Sequence, residues 1–536
     1  MKKKRILGLL LTGALLIGTF GACSPAEQQP TPPTAGATVP TPPQTTPAPI
    51  PEASPPHEER PIGRGLTVAV MSETSSIGVA RHASVIGHHK NILTHNGLFR
   101  AHPDGHEPLP DLISGFTAIS DTVFDFYLHE GVMFHNGEIL DAYDVAASFE
   151  YVRTTPDQRS VHGSMYSWEV IDSLTIRIDT GEPNALFFRD LAHQGNFIMP
   201  RSLIESGHDL TSDPVGSGPF IFEEWRFGDS LRFYAFENYF DEDRSPMLAY
   251  VHWRIIPEGS SRTIALETGE VDYIVDVAFP DIPRLQENSA VSVIYRPGTQ
   301  FSYLIMNNEL PQFENVYARR AIDMALDRDA MLTVSLDGWG VPIWTVVPPA
   351  LPGATTEGTR GFDPDGAKAL LAEQSIDPTT LAFEMLAFNE EQRRRAEVAQ
   401  SNLNDIGIPT TITMIDFAAW GDQTRNGDFE ATFANFTSPS LVGFMRSLLT
   451  IEFIDSQNRS RIRHEELSDL IAQAIITIDA PAREAILEQA VIIANEQVPH
   501  IGTNMNVIVR AFNANLVTPE LGPNGFMYFN VMYWAN

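Results

Sequence analysis

Cysteine is nearly missing from this sequence: Cys23 is the only one among 536 residues. No intrachain disulfide can form, and a structural zinc site built on several thiolates is excluded. Basic side chains are scarce, with 36 Lys and Arg against 68 Asp and Glu and a net charge of -32. Such a surface repels phosphate backbones, so nucleic acid is excluded as a partner. Catalytic signatures are missing too. Gly216-Ser217-Gly218 lacks the flanking pattern of a Gly-x-Ser-x-Gly elbow, and there is no His-Glu-x-x-His. His82, His88, His89 and His95 form a small histidine-rich stretch, but adjacent residues on a helix or strand point apart, which argues against a shared metal. Carboxylates are abundant, yet abundance on an acidic surface does not identify a catalytic pair. The expectation is a protein without catalytic residues, metal or cofactor. No repeat of fixed period occurs, and the one long apolar run lies at the start of the chain.

That run covers residues 6–22, 17 residues preceded by Lys2, Lys3, Lys4 and Arg5 and ended by small side chains. The order of charged, apolar and small residues is that of a secretory signal peptide, and the run is marginal for spanning about 30 Å of hydrocarbon. Phe20-Gly21-Ala22-Cys23 resembles a bacterial lipobox, with Phe20 where Leu is usual. The resemblance implies cleavage before Cys23 and lipid attachment to its sulfur, and a lipidated cysteine carrying several acyl chains holds a protein firmly at a membrane. Residues 24–61 then hold 13 of the chain's 39 prolines with almost no large apolar side chains, so they cannot bury a core. At about 3.1 Å per residue in polyproline II, they make a semi-rigid stalk reaching on the order of 100 Å. The segments expected are a leader at 1–22 and a lipidated, proline-rich, disordered stalk at 23–61. The location expected is extracytoplasmic, at the outer face of the cell membrane.

From residue 62 onward, 43% hydrophobic composition over the chain suffices for a large core, and no second low-complexity break appears. Val123–Leu128 and the series Leu174, Ile176, Ile178 alternate with period two, as half-buried strands do. Ala318, Ile322, Ala325 and Leu326 share one helical face within 317–326. Asp363-Pro364 and Asp479 with Pro481 each place a capping carboxylate before a helix, the first ahead of Ala367, Leu370 and Leu371, the second ahead of Ile486, Ala490 and Ile493. Mixed strands and helices in a long chain indicate an α/β or α+β architecture.

Several segments, in order, resemble the extracellular solute-binding proteins of the peptide, nickel and opine class that serve ABC importers. They are Gly131-Val132-Met133-Phe134-His135-Asn136-Gly137 followed by Asp141-Ala142-Tyr143-Asp144-Val145 and Ser148-Phe149; Pro214-Val215-Gly216-Ser217-Gly218-Pro219-Phe220; and Ala265-Leu266-Glu267-Thr268-Gly269-Glu270-Val271-Asp272. Asn307, Phe313 and the run 316–328 with Arg319, Arg320, Ala321, Asp327 and Arg328 follow. Phe362-Asp363-Pro364, Leu403 with Ile406-Gly407-Ile408, and 479–499 complete the series. Each is weak alone; their colinear order carries the resemblance. It implies an α/β, two-lobed periplasmic-binding-protein (Venus-flytrap) fold with an extra subdomain inserted in lobe one. The boundaries expected are 62–105, 212–290 and 506–536 for lobe one, 106–211 for the insertion and 291–505 for lobe two. The function implied is capture of a small solute and delivery to ABC importer permease subunits, by a monomer held to the membrane by its lipid and without enzymatic activity.

In peptide-binding members, the segment after an Asp-Phe-Glu-like strand carries an aspartate that receives the peptide's ammonium. Here the stretch reads Phe429-Glu430-Ala431-Thr432-Phe433-Ala434-Asn435-Phe436-Thr437-Ser438-Pro439, with no acid after Glu430. An ammonium enclosed without a carboxylate loses several kcal/mol of compensation for its desolvation. Asp416 or Asp422 can substitute, or the solute is neutral, acidic or a metal chelate; oligopeptides, peptide-like molecules, opines and nickel chelates all remain open. The ligand-lining residues expected are Phe301, Tyr303, Asn435, Phe436 and Thr437, with a core role for the aromatics weighed equally. The competing function is an anchored extracytoplasmic hydrolase of peptidoglycan or glycans; a third keeps the fold but makes the protein a sensor or chaperone.

Overall fold

A computed structural model describes residues 63–73, 76–79, 85–103, 107–154, 165–438 and 440–535, with the side chains of 85–88 excepted. All of these belong to one unit, Pro56–Asn536. The leader, Cys23, the proline-rich stretch, His82 and the side chain of His88 lie outside the described residues.

The principal strands, in chain order, are β1 Leu66–Val70, β2 Ile113–Ala118, β3 Val123–Leu128, β4 Ser167–Asp172, β5 Thr175–Asp179, β6 Phe220–Arg226, β7 Ser230–Ala235 and β8 Tyr250–Ile255. They continue as β9 Tyr273–Ile274, β10 Val291–Met306, β11 Val341–Pro342, β12 Phe383–Ala387, β13 Thr410–Met414, β14 Ala431–Thr437 and β15 His500–Asn513. One 11-stranded sheet runs in the order β13-β12-β14-β10-β15-β9-β1-β8-β7-β6, with β11 beside β15. Strands β2 to β5 form a separate four-stranded antiparallel sheet in the order β2-β3-β5-β4.

The alternation read from residues 123–128 is real: Phe124, Phe126 and Leu128 are buried and Tyr127 is exposed. Helix α2, Ala142–Thr154, covers this small sheet with Val145 and Phe149, which join Phe99, Phe126 and Phe187 in one apolar cluster. Its entry turn follows the sequence signals. Gly137 has φ 88°, Asn136 Oδ1 accepts from Glu138 N, and Asp141 Oδ1 accepts from Tyr143 N at 2.8 Å.

The colinear motifs act as scaffold. Gly218 N donates to Thr94 O at 2.9 Å, and a Cβ on Gly218 would stand 2.4 Å from the Thr94 carbonyl carbon, so backbone meets backbone only because the position is glycine. Asp272 accepts from Thr67 N and from Arg64. Arg319 is buried and donates to the carbonyls of Phe313, Glu314, Gln497 and Val498. Arg328, also buried, pairs with Asp323 and lies over the Trp344 ring. The helices Pro364–Glu373 and Ala480–Gln497 start where their acid-proline signals lie, with Asp363 accepting from Gly366 N and Asp479 from Ala482 N.

Both faces of the large sheet are covered, as an α/β layer architecture requires. Along β10, Phe301, Tyr303 and Ile305 enter one apolar cluster with Phe444 and Met505, while Leu304 and Met306 enter another with Phe313 and Phe433.

Candidate functional site: a polar crossing between opposed strand edges

The two longest strands make the site. β10 and β15 pair antiparallel along nearly their whole length, and the pairing shifts register between Pro297 and Phe301 and again between Ser302 and Tyr303. The irregularity has local causes. Pro297 brings no N–H to the ladder, and Gly298 packs so closely that a Cβ there would lie 2.8 Å from Ile508 Cγ1. Thr299 N donates to Pro523 O at 2.9 Å, and Arg296 Nη1 to Leu521 O at 3.0 Å, so the C-terminal segment clamps the bend.

Strand directions give this bend its meaning. β1 runs parallel to β8 and β9, β9 is antiparallel to β15, and β15 is antiparallel to β10. Hence β1, β8, β9 and β10 share a direction. β14 runs antiparallel to β10, and β12 and β13 run parallel to β14. The carboxyl ends of β1, β8 and β9 therefore point along β10 toward Pro297, while the last residue of β14, Thr437, pairs back on Gln300. Two sets of parallel strands thus aim their carboxyl ends at each other across four residues of β10. The crevice outside strand carboxyl ends is where open α/β sheets bind ligands.

The face of the crossing is built from neutral hydrogen-bonding groups. Ser302 Oγ lies 2.7 Å from Asn435 Oδ1 and 3.0 Å from Asn506 Oδ1. Asn504 Nδ2 donates to Asn506 Oδ1 at 2.7 Å, and Asn506 Nδ2 donates to Gln300 Oε1. Thr437 stands opposite Gln300. Ser302 and Asn504 are buried, Asn506 is half-buried, and Gln300, Asn435 and Thr437 are exposed. This is a three-strand amide ladder whose outer members present free donor and acceptor capacity to the crevice.

The five residues expected as lining divide by the period of the strand. Asn435 and Thr437 belong to the amide face. Phe301 and Tyr303 do not line the crevice: they are 0% and 5% exposed, and Phe301 packs edge-on against Phe444 with centroids 5.1 Å apart. Phe436 pairs with Phe301 across the strands and turns to the same side, 5.6 Å from Phe444, where it is half-buried. Successive side chains on a strand point to opposite faces, so a run of five neighbours cannot all meet one ligand. Gln300, Ser302, Asn504 and Asn506 are the members that sequence reading missed. Their signal was the alternation of polar with apolar residues in Gln300-Phe301-Ser302-Tyr303 and Asn504-Met505-Asn506.

No carboxylate replaces the missing acid within β14. Glu430 accepts from Gln312 Nε2 and Glu384 N, Asp416 caps the helix Phe417–Asn426 through Ala419 N, and Asp422 pairs with Arg425. Three helix N-termini instead follow the strand ends: Glu390–Asp405 capped by Asn389, Phe417–Asn426 capped by Asp416, and Leu441–Leu449 capped by Ser440. Their dipoles favour negative over positive charge beside the crevice. Phe388, Phe417 and Trp420 form an aromatic group at the same edge, with Phe417 64% exposed and Arg459 4.8 Å over the Trp420 ring.

The histidines go to separate partners. His89 Nε2 meets Gly525 O at 3.1 Å, whereas His95 Nδ1 meets Thr94 Oγ1 at 2.8 Å. Among the described residues no three His, Cys, Asp or Glu side chains gather as a metal site, and no helix is long and apolar enough to cross a membrane.

Residues 107–446, more than half of the chain, match the family model of the bacterial extracellular solute-binding proteins, family 5. A glutathione-binding protein, GsiB, from Salmonella paratyphi A is 28% identical over 312 residues, which are 57% of this chain and 60% of that protein. The matched part thus spans less than two thirds of that relative. Among solved structures, HbpA2 from Haemophilus parasuis superposes with TM-score 0.80 at 23% identity, covering 88% of this chain and 100% of that one. The periplasmic binding protein DppA from Helicobacter pylori, in complex with the peptide STSA, gives TM-score 0.77 at 23% identity, covering 89% and 99%.

Proposed function

The chain belongs to the bacterial extracellular solute-binding proteins of family 5, and we propose that it is the receptor of an ABC importer, taking a peptide-like solute into the crevice at the β10–β15 crossing. The observation that carries this reading is the opposition of two strand-end edges across a polar, hydrogen-bonding face. Such a face recognises backbone-like amides, and the surrounding helix N-termini favour carboxylates. A peptide-like solute carrying more acid than ammonium fits both. Glutathione, named for one similar protein, is of this type, with two carboxylates to one ammonium, whereas the peptide STSA named for another is peptide-like and carries one of each.

In this reading, residues 62–105, 212–290 and 506–536 form lobe one, 106–211 its inserted subdomain and 291–505 lobe two. The strands β10 and β15 are the hinge between the lobes, and binding closes the crevice because only contacts made by both lobes favour the closed state. Cys23 carries the lipid that holds the protein at the outer face of the membrane, and the closed monomer docks on permease subunits. Asn435 and Thr437 touch the solute directly; Phe301, Tyr303 and Phe436 hold the strands that present them. The protein binds and releases its solute unchanged.

Native mass spectrometry of the purified protein tests the proposal. A stoichiometric, dissociable adduct with the mass of a peptide-like acid is expected. A panel of peptides, opines, sugars and nickel chelates that yields neither adduct nor thermal shift would overturn it.

A further inference from the structure

Lysine is the rarest charged residue of this chain, with Lys2, Lys3, Lys4, Lys90 and Lys368 against 31 arginines. Of the two beyond residue 62, Lys368 is exposed and pairs with Asp365, as a surface lysine does. Lys90 is 2% exposed, and its Nζ has no hydrogen-bond partner among the described residues. A buried ammonium without an acceptor is costly, and a chain that otherwise uses arginine for its buried cations has left this one unanswered.

Its place in the fold says where the answer comes from. Lys90 lies on α1, Val85–Thr94, the helix that follows β1 and packs on the large sheet through Leu93, which joins Val68, Val70 and Trp253 in one apolar cluster. The Leu93–Thr94 end of α1 sits on Gly216 and Gly218, just before β6, so its start lies toward the carboxyl ends of β6 and of β1, which runs parallel to β6. Its side chains lean toward its own N-terminus, so Lys90 leans toward the carboxyl end of β1. The ionic group that acts on it there is Glu73, three residues past Val70. Glu73 is already engaged: its carboxylate accepts from Trp225 Nε1 and from Gly228 N, the latter at 2.6 Å. A second buried donor under α1, the indole N–H of Trp253, also has no acceptor among the described residues, and the Trp253 ring lies 6.3 Å from that of His89. Trp253 stands opposite Val68 at mid-strand, whereas Lys90 leans toward the carboxyl edge of β1, on the side of the crevice opposite the amide ladder.

We propose that Lys90 is a binding residue of lobe one that receives a carboxylate of the solute, so that the ligand spans from this ammonium to the amide face at Asn435. The inference rests on the receptor reading above, whose solute carries a free carboxylate, and adds the lobe-one group that receives it. Burial pulls the Lys90 ammonium down to about 7, with Glu73 opposing the shift. A carboxylate arriving beside it restores the charged form, so binding near neutral pH takes up a proton.

Two measurements on the full chain in detergent test this. The first compares wild type with Lys90→Met for binding of reduced glutathione and trialanine, each beside its carboxyl-amidated form. The acids are expected to bind wild type at least tenfold more tightly than the amides, and Lys90→Met, which melts no lower, is expected to abolish the difference. The second follows carbon-labelled lysine side chains by NMR. Cleavage before Cys23 leaves Lys90 and Lys368 as the lysines, so the Lys90 signal is assignable, and a bound acid is expected to move it toward the charged position. Acids that bind wild type and Lys90→Met alike, or a Lys90 signal unmoved by a bound acid, would overturn the proposal and leave the receptor reading standing. Binding by amides alone would overturn it too. If Lys90→Met does not fold, the NMR titration of wild type decides. Failure of every solute class to bind removes the receptor reading itself.

Discussion

At the scale of single residues, burial decides protonation. His135, His193 and His500 are pushed down to about 4 by desolvation, and His95 to about 3 by desolvation with His135 repulsion added. All four are neutral in the folded protein and titrate near 6.5 when unfolded. A base whose folded value is depressed stabilises the fold fully above about 6.5, and that contribution is lost as pH falls toward 4, where the unfolded chain binds more protons. Each histidine adds a slope of up to about 1.4 kcal/mol per pH unit in that window. Urea midpoints are therefore expected to fall steeply between pH 6.5 and 5, and a flat profile would refute the assignment. His500 also shows why residue-level reading of the site was incomplete. Its Nε2 meets Val346 O at 2.7 Å, and its ring lies 4.8 Å from that of Tyr303, contacts set by packing between segments more than 150 residues apart.

At the scale of elements, period two governs. Asn435 and Phe436 are neighbours in sequence yet sit on opposite faces of β14, and Ser302 and Phe301 divide in the same way on β10. Truncation should separate the faces. Phe301→Ala is expected to cost about 3–5 kcal/mol in urea unfolding, by loss of burial and the cavity left behind. Asn435→Ala is expected to leave that midpoint nearly unchanged while weakening solute binding about tenfold, the worth of one good hydrogen bond. Equal effects of the two substitutions on stability would contradict the division. Strand and helix positions were legible because their causes are local: alternation in 123–128, Asp363 with Pro364, Asp479 with Pro481, and the Asn136-Gly137 turn. The amide ladder was not, because it forms only when β10, β14 and β15 come into register, and each contributes two polar residues that look ordinary alone. The missing acid of β14 was legible, and the two acids weighed in its place are engaged elsewhere, Asp416 with Ala419 N and Asp422 with Arg425.

At the scale of the whole molecule, the sheet is continuous but its strands are not equivalent. Six parallel-set strands, three from each side, point at the bend of the two that cross between them. In the proposed reading, this opposition makes one stretch of β10 and β15 both the joint between the lobes and the binding surface, so that a ligand acts on the joint directly. The family resemblance in the sequence led to the same architecture through motifs that prove to be turns, caps and buried arginines, none of which touches the crossing. The scaffold is therefore recognisable from motifs that lie apart from the crossing.

In the proposed reading, solute binds at this crossing. Hydrogen exchange with mass spectrometry, on the protein stripped of solute and then reloaded with the molecule it co-purifies with, tests it most directly. Protection is expected to concentrate in residues 298–302, 435–438 and 504–507, with a second zone along α1. Protection confined to another concavity, such as the one lined by His135, Asn136, Tyr234 and Phe236, with no change at the crossing, would contradict the account.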